Sequence, residues 1–466
     1  MLDRRLSLGL IALAIAVRVA AVLVLQSHKV PHSTYEHGEI AANLLAGRGF
    51  SVKFLGAEGP TSQQAPVYPA VVAATYALGG IGTPTSLLIL ELGQAVLGGL
   101  LVAAVLALAG EVAPRQPRMA LAAGFIAAVH PTLVYAATHV QVALLAATLL
   151  TVTLAWAYRL GRTGRDRDAL ISGLLLAVLT LTDPILGLVL PGLGWAIAMR
   201  RGVRASIRPL TLLILAALVG VMPWTIRNAR VHGEIVWVKS TFGYAFWQGN
   251  CALSQGTDKV VRPSIDRALT PKRAPAGLRD FNRALWTARH EAGYLDDIAL
   301  SQADYKLLSQ LSEPARSRWL FHRAISDLRA DPMRYPQLCL RRLRYFVLFD
   351  ETNPKTRSLI YRASHLGLTV LAVIGLVVAR PGFHSRLGPT LLTAALITLF
   401  HSLTIVSARF HIPLEPLMAL WAAGAMSRWE RAPSSAPSAD DVVGVGVEGR
   451  LAIGKRVGLG DLRPVA

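Results

Sequence analysis

Cysteine, acid and charge in general are scarce in this sequence, and each scarcity excludes something. Two cysteines in 466 residues, Cys251 and Cys339, are too few for a disulfide scaffold or a Cys-rich metal site. No His-x-x-His, HExxH or CxxC pattern compensates. The pair can form one bridge at most, and only in an oxidising compartment. Charged residues are 16% of the chain and hydrophobic ones 53%, against about 25% and about 45–50% in soluble globular chains, so a soluble enzyme is excluded first. Acids are the rarer sign, with 28 Asp and Glu against 48 Lys and Arg and a net charge of +20. Such an excess suggests nucleic acid in a soluble protein and basic cytoplasmic loops in a multi-span one. The positions of the arginines decide between them.

What the sequence does contain is apolar runs of membrane length. A helix needs about 20 mainly apolar residues to cross a hydrocarbon core, and such runs fall near 7–26, 85–109, 119–137, 140–158, 168–182, 184–199, 210–226, 363–379, 388–406 and 410–426. They predict an all-α polytopic membrane protein with about ten transmembrane helices. The first run follows Arg4 and Arg5, as in a signal peptide. However, it has the length of a full span, is interrupted by Arg18 and lacks a small-x-small site before His28, so it reads as a retained helix.

With the N-terminus inside, the inside loops carry Arg115 and Arg118, then Arg159, Arg162, Arg165 and Arg167, then Arg200, Arg201, Arg204 and Arg208, then Arg380 and Arg386. The outside turns near 138–139, 183 and 407–409 carry almost none. This positive-inside pattern predicts an inner (plasma) membrane protein with both termini cytoplasmic, and it accounts for much of the basic excess without nucleic acid as a partner. Two outside segments exceed a turn. The expected domains are a transmembrane core over 1–226 with its first outside loop at 27–84, a mainly helical outside (periplasmic) domain at 227–362, and C-terminal transmembrane helices at 363–426. The tail, 427–466, mixes Ser, Pro, Asp and Gly without an amphipathic period and reads as disordered and cytoplasmic.

In the first loop, TYEHGEIAANLLAGRGFS turns apolar at Ile40, Ala41, Leu44 and Leu45, which predicts a short amphipathic helix at the membrane surface that stops at Gly47. Glu36 and Glu39, three apart, share one face of it, with His32 one turn back. Two carboxylates so placed suit acid/base work; the other reading is that acids in a first turn complement the helix dipole, and spacing leaves both open. The following GPTSQQAPVYPAVVAATYALGG is broken by Pro60, Pro66 and Pro69. Its apolar stretch from Val67 to Leu78 is too short to span and predicts a half-buried or re-entrant helix lining a cavity.

The order of a basic N-terminus and first span, an acidic helix ending in NLLAGRGFS, a GPT…PVYP segment, and Pro-Trp-Thr-Ile-Arg-Asn opening a large outside domain resembles the GT-C superfamily of membrane glycosyltransferases. Its bacterial members related to the protein O-mannosyltransferases and the lipid A aminoarabinose transferase are the most similar. The resemblance implies a polyprenyl-phosphate sugar donor, a lipid, glycan or protein acceptor, and an acidic residue of the first outside loop at the active site. The matching positions are Glu36 and Glu39. Where many relatives carry Asp or an Asp-Glu pair, this sequence reads His32-Ser33-Thr34, which leaves the choice of base between the two glutamates.

Transfer from a phosphate-linked sugar also needs positive charge to receive the departing lipid phosphate. Arg227, where the seventh span leaves the membrane, and Arg409 and His411, in SARFHIP at the last outer turn, are on the correct side. The guanidinium fork suits phosphate, although arginines also snorkel to headgroups. Asp183, in LTDPILG, is either a site residue or a helix start before Pro. Tyr68 of PVYP and Gln141 are candidate substrate contacts, whereas His130 and His139 read as polar caps. IVWVKSTFGYAFWQGN reads as a strand-like opening of the outside domain, and LCLRRLRYFVLFD as a membrane-lying helix able to offer Arg341, Arg342 or Arg344 to a lipid phosphate. No ligand cluster demands a metal, though the carboxylates leave room for Mg²⁺ or Mn²⁺. The competing functions are a lipid or glycan flippase, which would show paired repeats and mid-span charges beyond Arg18 and Glu91, and an inactive GT-C-like scaffold.

Overall fold

A computed structural model describes residues 3–30, 34–259, 277–292, 294–379 and 382–428. His32 and the tail from 429 onward lie outside the described residues.

The first helix, α1 (Arg4–Leu25), starts on an Asp3 cap. It is followed by α2 (Tyr35–Leu45), a hairpin of β1 (Ser51–Phe54) and β2 (Ala57–Pro60), and α3 (Val67–Gly79). Then come α4 (Pro84–Val112), α5 (Pro117–Val129), α6 (Pro131–Tyr135), α7 (Ala143–Thr163), α8 (Asp166–Thr180), α9 (Leu190–Arg201) and α10 (Val203–His232). The large loop folds into α11 (Phe242–Asn250), α12 (Leu278–Ala292), α13 (Asp296–Ala299), α14 (Gln302–Ser309), α15 (Glu313–Ala330) and α16 (Arg334–Val347). Last are α17 (Leu359–Val378), α18 (Phe383–Leu403) and α19 (Glu415–Ala423). The protein is an all-α polytopic membrane protein.

Helices α1, α4, α7, α10 and α17 are long and apolar enough to cross a membrane, α1 with its flanking turn to Lys29. The other expected crossings fall on α5 with α6, α8, a 3₁₀ turn (Pro184–Val189) with α9, α18, and α19, which are shorter or less apolar. In the bundle α8 packs on α10, α7 on α4 and α4 on α1, around an apolar core of small residues and leucine. Mid-bundle charge is satisfied locally. Arg18, fully buried, donates to the carbonyls of Ala127 and Ala128 at the C-terminal end of α5 (3.2 and 2.9 Å) and to Ala14 in its own helix. Glu91 meets His28 Nδ1 at 2.8 Å.

A second core lies at one end of the bundle and joins the two long loops. Ile40, Phe50, Val52, Phe54 and Leu55 of the first loop pack against Phe246, Trp247, Leu295, Leu308 and Leu320 of the second. The hairpin pairs Ser51 with Pro60 and Phe54 with Ala57, and its two-residue turn puts Leu55 and Gly56 at positive φ (50° and 84°), as a tight hairpin requires. Glycine takes this conformation freely, whereas Leu55 takes it at a cost and buries its side chain in the shared core. The sequence reading had no strand here and placed a strand-like opening at 235–250 instead; residues 242–250 form the helix α11, whose aromatics Phe242 and Phe246 pack against Phe321 of α15, and residues 235–241 are irregular. The two cysteines are not bridged.

Candidate active site

The site-bearing helix α2 forms as the spacing predicts, over Tyr35–Leu45, and the chain turns at Gly47 with φ 74°. Its polar edge carries Glu36 and Glu39 into a cavity of about 600 Å³, a size ordinary for small-ligand sites. The rest of the wall comes from the hairpin turn, the 63–64 loop, the start of α7, the turn after α8, residues 239–248, Asp258, Tyr294, Asp296 and the 401–413 segment. These are the ends at which α8, α10 and α18 finish and α7 and α19 begin. The cavity is therefore at one end of the bundle, opposite the loops that hold Arg115, Arg162, Arg165, Arg200 and Arg208.

Within it, Glu36 accepts a hydrogen bond from Gln64 Nε2 at 2.7 Å, and Gln64 Oε1 accepts one from Lys239 Nζ at 3.0 Å. One amide thus fixes a carboxylate and a cation relative to each other. Burial pushes Glu36 up, but the charges of His37, Arg409 and Lys239 and its own helix-start N–H outweigh it, leaving the carboxyl below its ordinary range. Burial pulls His37 down to about 4. At neutral pH His37 is then uncharged, and the cations facing Glu36 there are Arg409 and Lys239. Asp183 lines the same cavity and caps the following 3₁₀ turn through Ile185 N (3.2 Å). Its carboxyl is raised by burial against the pull of Lys239 and Arg409. Lys239 is lowered by burial against the opposite pull of Asp183 and Glu36. Glu39, more exposed, accepts from Lys53 N at 2.7 Å. Among the described residues, the Arg409 guanidinium has no hydrogen-bond partner; it lies over Phe410, 5.7 Å from the ring centre, in the field of Asp258 and Glu36. On the far wall, Tyr244 and Gln248 both donate to Asp296 Oδ1.

No protein-family model matches this sequence, and no curated protein does. Solved structures match its fold. The oligosaccharyltransferase AglB from Archaeoglobus fulgidus, solved with an inhibitory peptide and a dolichol-phosphate, superposes with a TM-score of 0.51 at 13% identity over 91% of this chain and 50% of that one. The same enzyme, tethered to an acceptor peptide, superposes equally well. This chain has the GT-C fold. It spans about half the length of AglB. A looser likeness, with a TM-score of 0.41 at 15% identity over 90% of this chain and 77% of the other, is to ArnT from Cupriavidus metallidurans bound to undecaprenyl phosphate.

On this GT-C frame, the residues expected from sequence separate into two groups. Glu36, Glu39, Asp183 and Arg409 line one cavity. Tyr68 and Gln141 sit one layer below it: the Tyr68 ring packs edge-on against His37 at 5.0 Å, its hydroxyl donates to Gln94 and accepts from Gln141 N, both at 2.7 Å. Arg227 does not reach the cavity, because its guanidinium is used up on the carbonyls of Thr61 and Phe50 (2.6 and 2.9 Å) and on the Trp224 ring. It holds the loop that presents Gln63 and Gln64. Arg342 is likewise structural, fully buried and donating to Ser402 O, Gly249 O and Asn250 Oδ1, while Arg344 pairs with Glu351. His411 turns away from the cavity toward Glu415, and those two with His365 form a buried group able to hold a metal ion. Sequence reasoning missed Gln64, Lys239, Asp258, Tyr294 and Asp296. The signal available for Lys239 was a lone lysine within an aromatic stretch, WVKSTFGY.

Proposed function

We propose that this protein is an integral-membrane glycosyltransferase that moves a hexosyl or pentosyl group from a polyprenyl-phosphate donor to a lipid, glycan or protein acceptor outside the cytoplasm. The observation that carries the reading is the juxtaposition of an ionised Glu36 with Arg409 and Lys239 in one cavity at the arginine-poor end of a GT-C bundle. AglB, with the same fold, binds a dolichol-phosphate. Glu36 takes the proton of the acceptor hydroxyl or amine as the acceptor atom bonds to the anomeric carbon. The bond from that carbon to the phosphate oxygen breaks with inversion, and its electron pair leaves on the lipid phosphate, where Arg409 and Lys239 receive the charge. Gln64, bonded to both Glu36 and Lys239, keeps base and cation at a fixed separation. Glu39, tied to a backbone N–H, is the lesser candidate for the base. The expected sidedness puts the basic end of the bundle in the cytoplasm.

Arg18 and Glu91 are each bonded within the packed bundle, which takes away the mid-span charges a flippase would use. The test is sugar transfer from a polyprenyl-phosphate donor in membranes. Glu36→Gln should lower the rate by about 10²–10⁴-fold with the protein still inserted at wild-type level, and a rate within twofold of wild type would refute Glu36 as the base.

A further inference from the structure

Beneath the last outer turn, three histidines surround a buried carboxylate that, among the described residues, has no well-angled hydrogen-bond donor. Glu415 is fully buried, as are His365, His411 and His130 to more than nine-tenths. Its Oε1 lies 3.2 Å from His411 Nδ1 and 3.8 Å from His365 Nδ1, and its Oε2 lies 3.5 Å from His130 Nδ1. Among the described residues, none of these five atoms makes a hydrogen bond of good angle, although His411 and His365 stand close enough to interact with the carboxylate. A buried carboxylate is costly unless it is paired, so positive charge belongs at the centre.

The outer nitrogens decide what faces inward. His365 Nε2 lies 3.0 Å from the Val347 carbonyl, which only accepts, so this nitrogen carries the proton. Tyr361 spends its single proton on the Ala408 carbonyl (3.1 Å), so at 2.8 Å its oxygen accepts from His411 Nε2. In the neutral rings, both Nδ1 atoms therefore present bare lone pairs to Glu415 Oε1. Lone pairs converging on an oxygen repel one another unless a cation sits between them. Separations of 3.2 and 3.8 Å bracket the edge of about 3.3 Å that metal–ligand bonds of about 2.0–2.1 Å give in a tetrahedron. Outer N–H groups fixed by a carbonyl and a tyrosine are the usual support of metal-bound histidine.

We propose that His365, His411 and Glu415 bind a transition-metal ion of the zinc class, with His130 closing the fourth side. Imidazole donors with one carboxylate suit Zn²⁺ and not the all-oxygen shells of Mg²⁺ or Ca²⁺. The ion would pin the α17 N-terminus, the junction of α5 with α6, and the turn before α19 to one point. This site is separate from the cavity carboxylates and does not depend on the proposed transfer reaction.

The test is metal content of the full-length protein purified in detergent from zinc-supplemented growth. About one zinc per chain is expected, together with a visible ligand-field spectrum after exchange for Co²⁺ and a lower Tm on chelation. His365→Ala and Glu415→Gln should each cut occupancy at least tenfold, and His130→Asn, which keeps the pocket filled, should weaken retention against a chelator. Glu36→Gln should keep its zinc. Folded wild-type protein that holds no zinc and gives no Co²⁺ spectrum would overturn the proposal and leave a shared proton at the centre; loss of metal in Glu36→Gln but not in His365→Ala would overturn it by moving the ion to the cavity.

Discussion

Arg409 and Arg227 both emerge at the same end of the bundle, yet their surroundings give them different work. Arg227 is bonded to the carbonyls of Thr61 and Phe50 and lies over the Trp224 ring, whereas among the described residues the fork of Arg409 makes no hydrogen bond and lines the cavity. Replacing Arg409 by Ala should reduce transfer by about 10²-fold, and Lys should restore part of it, as a point charge without the bidentate fork. Arg227→Ala should instead lower thermal stability and loosen the Gln63–Gln64 loop. The pH profile follows from Glu36. Its pKa is depressed, so the base is present above that value and is lost only as pH falls through it. The acid limb of kcat/KM should therefore lie below the ordinary glutamate value of about 4.3, and Lys239→Met should move that limb upward. An unmoved limb would detach Lys239 from the base. Glu36 and Arg409 were legible in sequence because a carboxylate pair on a helix and a lone arginine in a short turn are local patterns. The bond between Gln64 and Lys239 was not, because its two ends lie 175 positions apart and neither lies in a distinctive motif.

At the scale of elements, the large loop stands on one close contact. Helix α11 meets the end of α18 at Gly249, where an added Cβ would run into the Thr404 carbonyl, and Arg342 from α16 bonds across the same junction to Gly249 and Ser402. Gly249→Val should separate the two helices. Arg342→Met should leave those carbonyls unpaired, at about 1–3 kcal/mol for each group. Differential scanning fluorimetry in detergent should show both variants melting below wild type, with Arg344→Ala unchanged because its partner Glu351 is exposed. The amphipathic pattern of α16 was legible, but not its destination. A basic stripe beside a membrane looks the same whether it meets lipid headgroups or the carbonyl ends of neighbouring helices. The hairpin was illegible for a related reason: its turn is Leu-Gly, and only the apolar pocket of the second core makes a left-handed leucine tolerable.

For the whole molecule, the shared core of the first and second long loops requires both to be on one side of the membrane, as the arginine distribution predicts. A reporter fused after residue 300 should be active outside the cytoplasm, and a cysteine placed at Arg204 should react only with permeant reagents. Cytoplasmic signal from the reporter would invert the topology and with it the access route to the cavity. Helices over the expected apolar runs were legible from run length; α1, α4, α7, α10 and α17 are long and apolar enough to cross a membrane, whereas α5, α8 and α19 are shorter than a full crossing.

Arg409 and His411 stand two residues apart on one turn, the first facing the cavity and the second the buried carboxylate. With the proposed ion in place, that turn answers to the trace-element supply of the cell as well as to its sugar donor. Zinc starvation would then slow the proposed sugar transfer by leaving Arg409 on a slack turn.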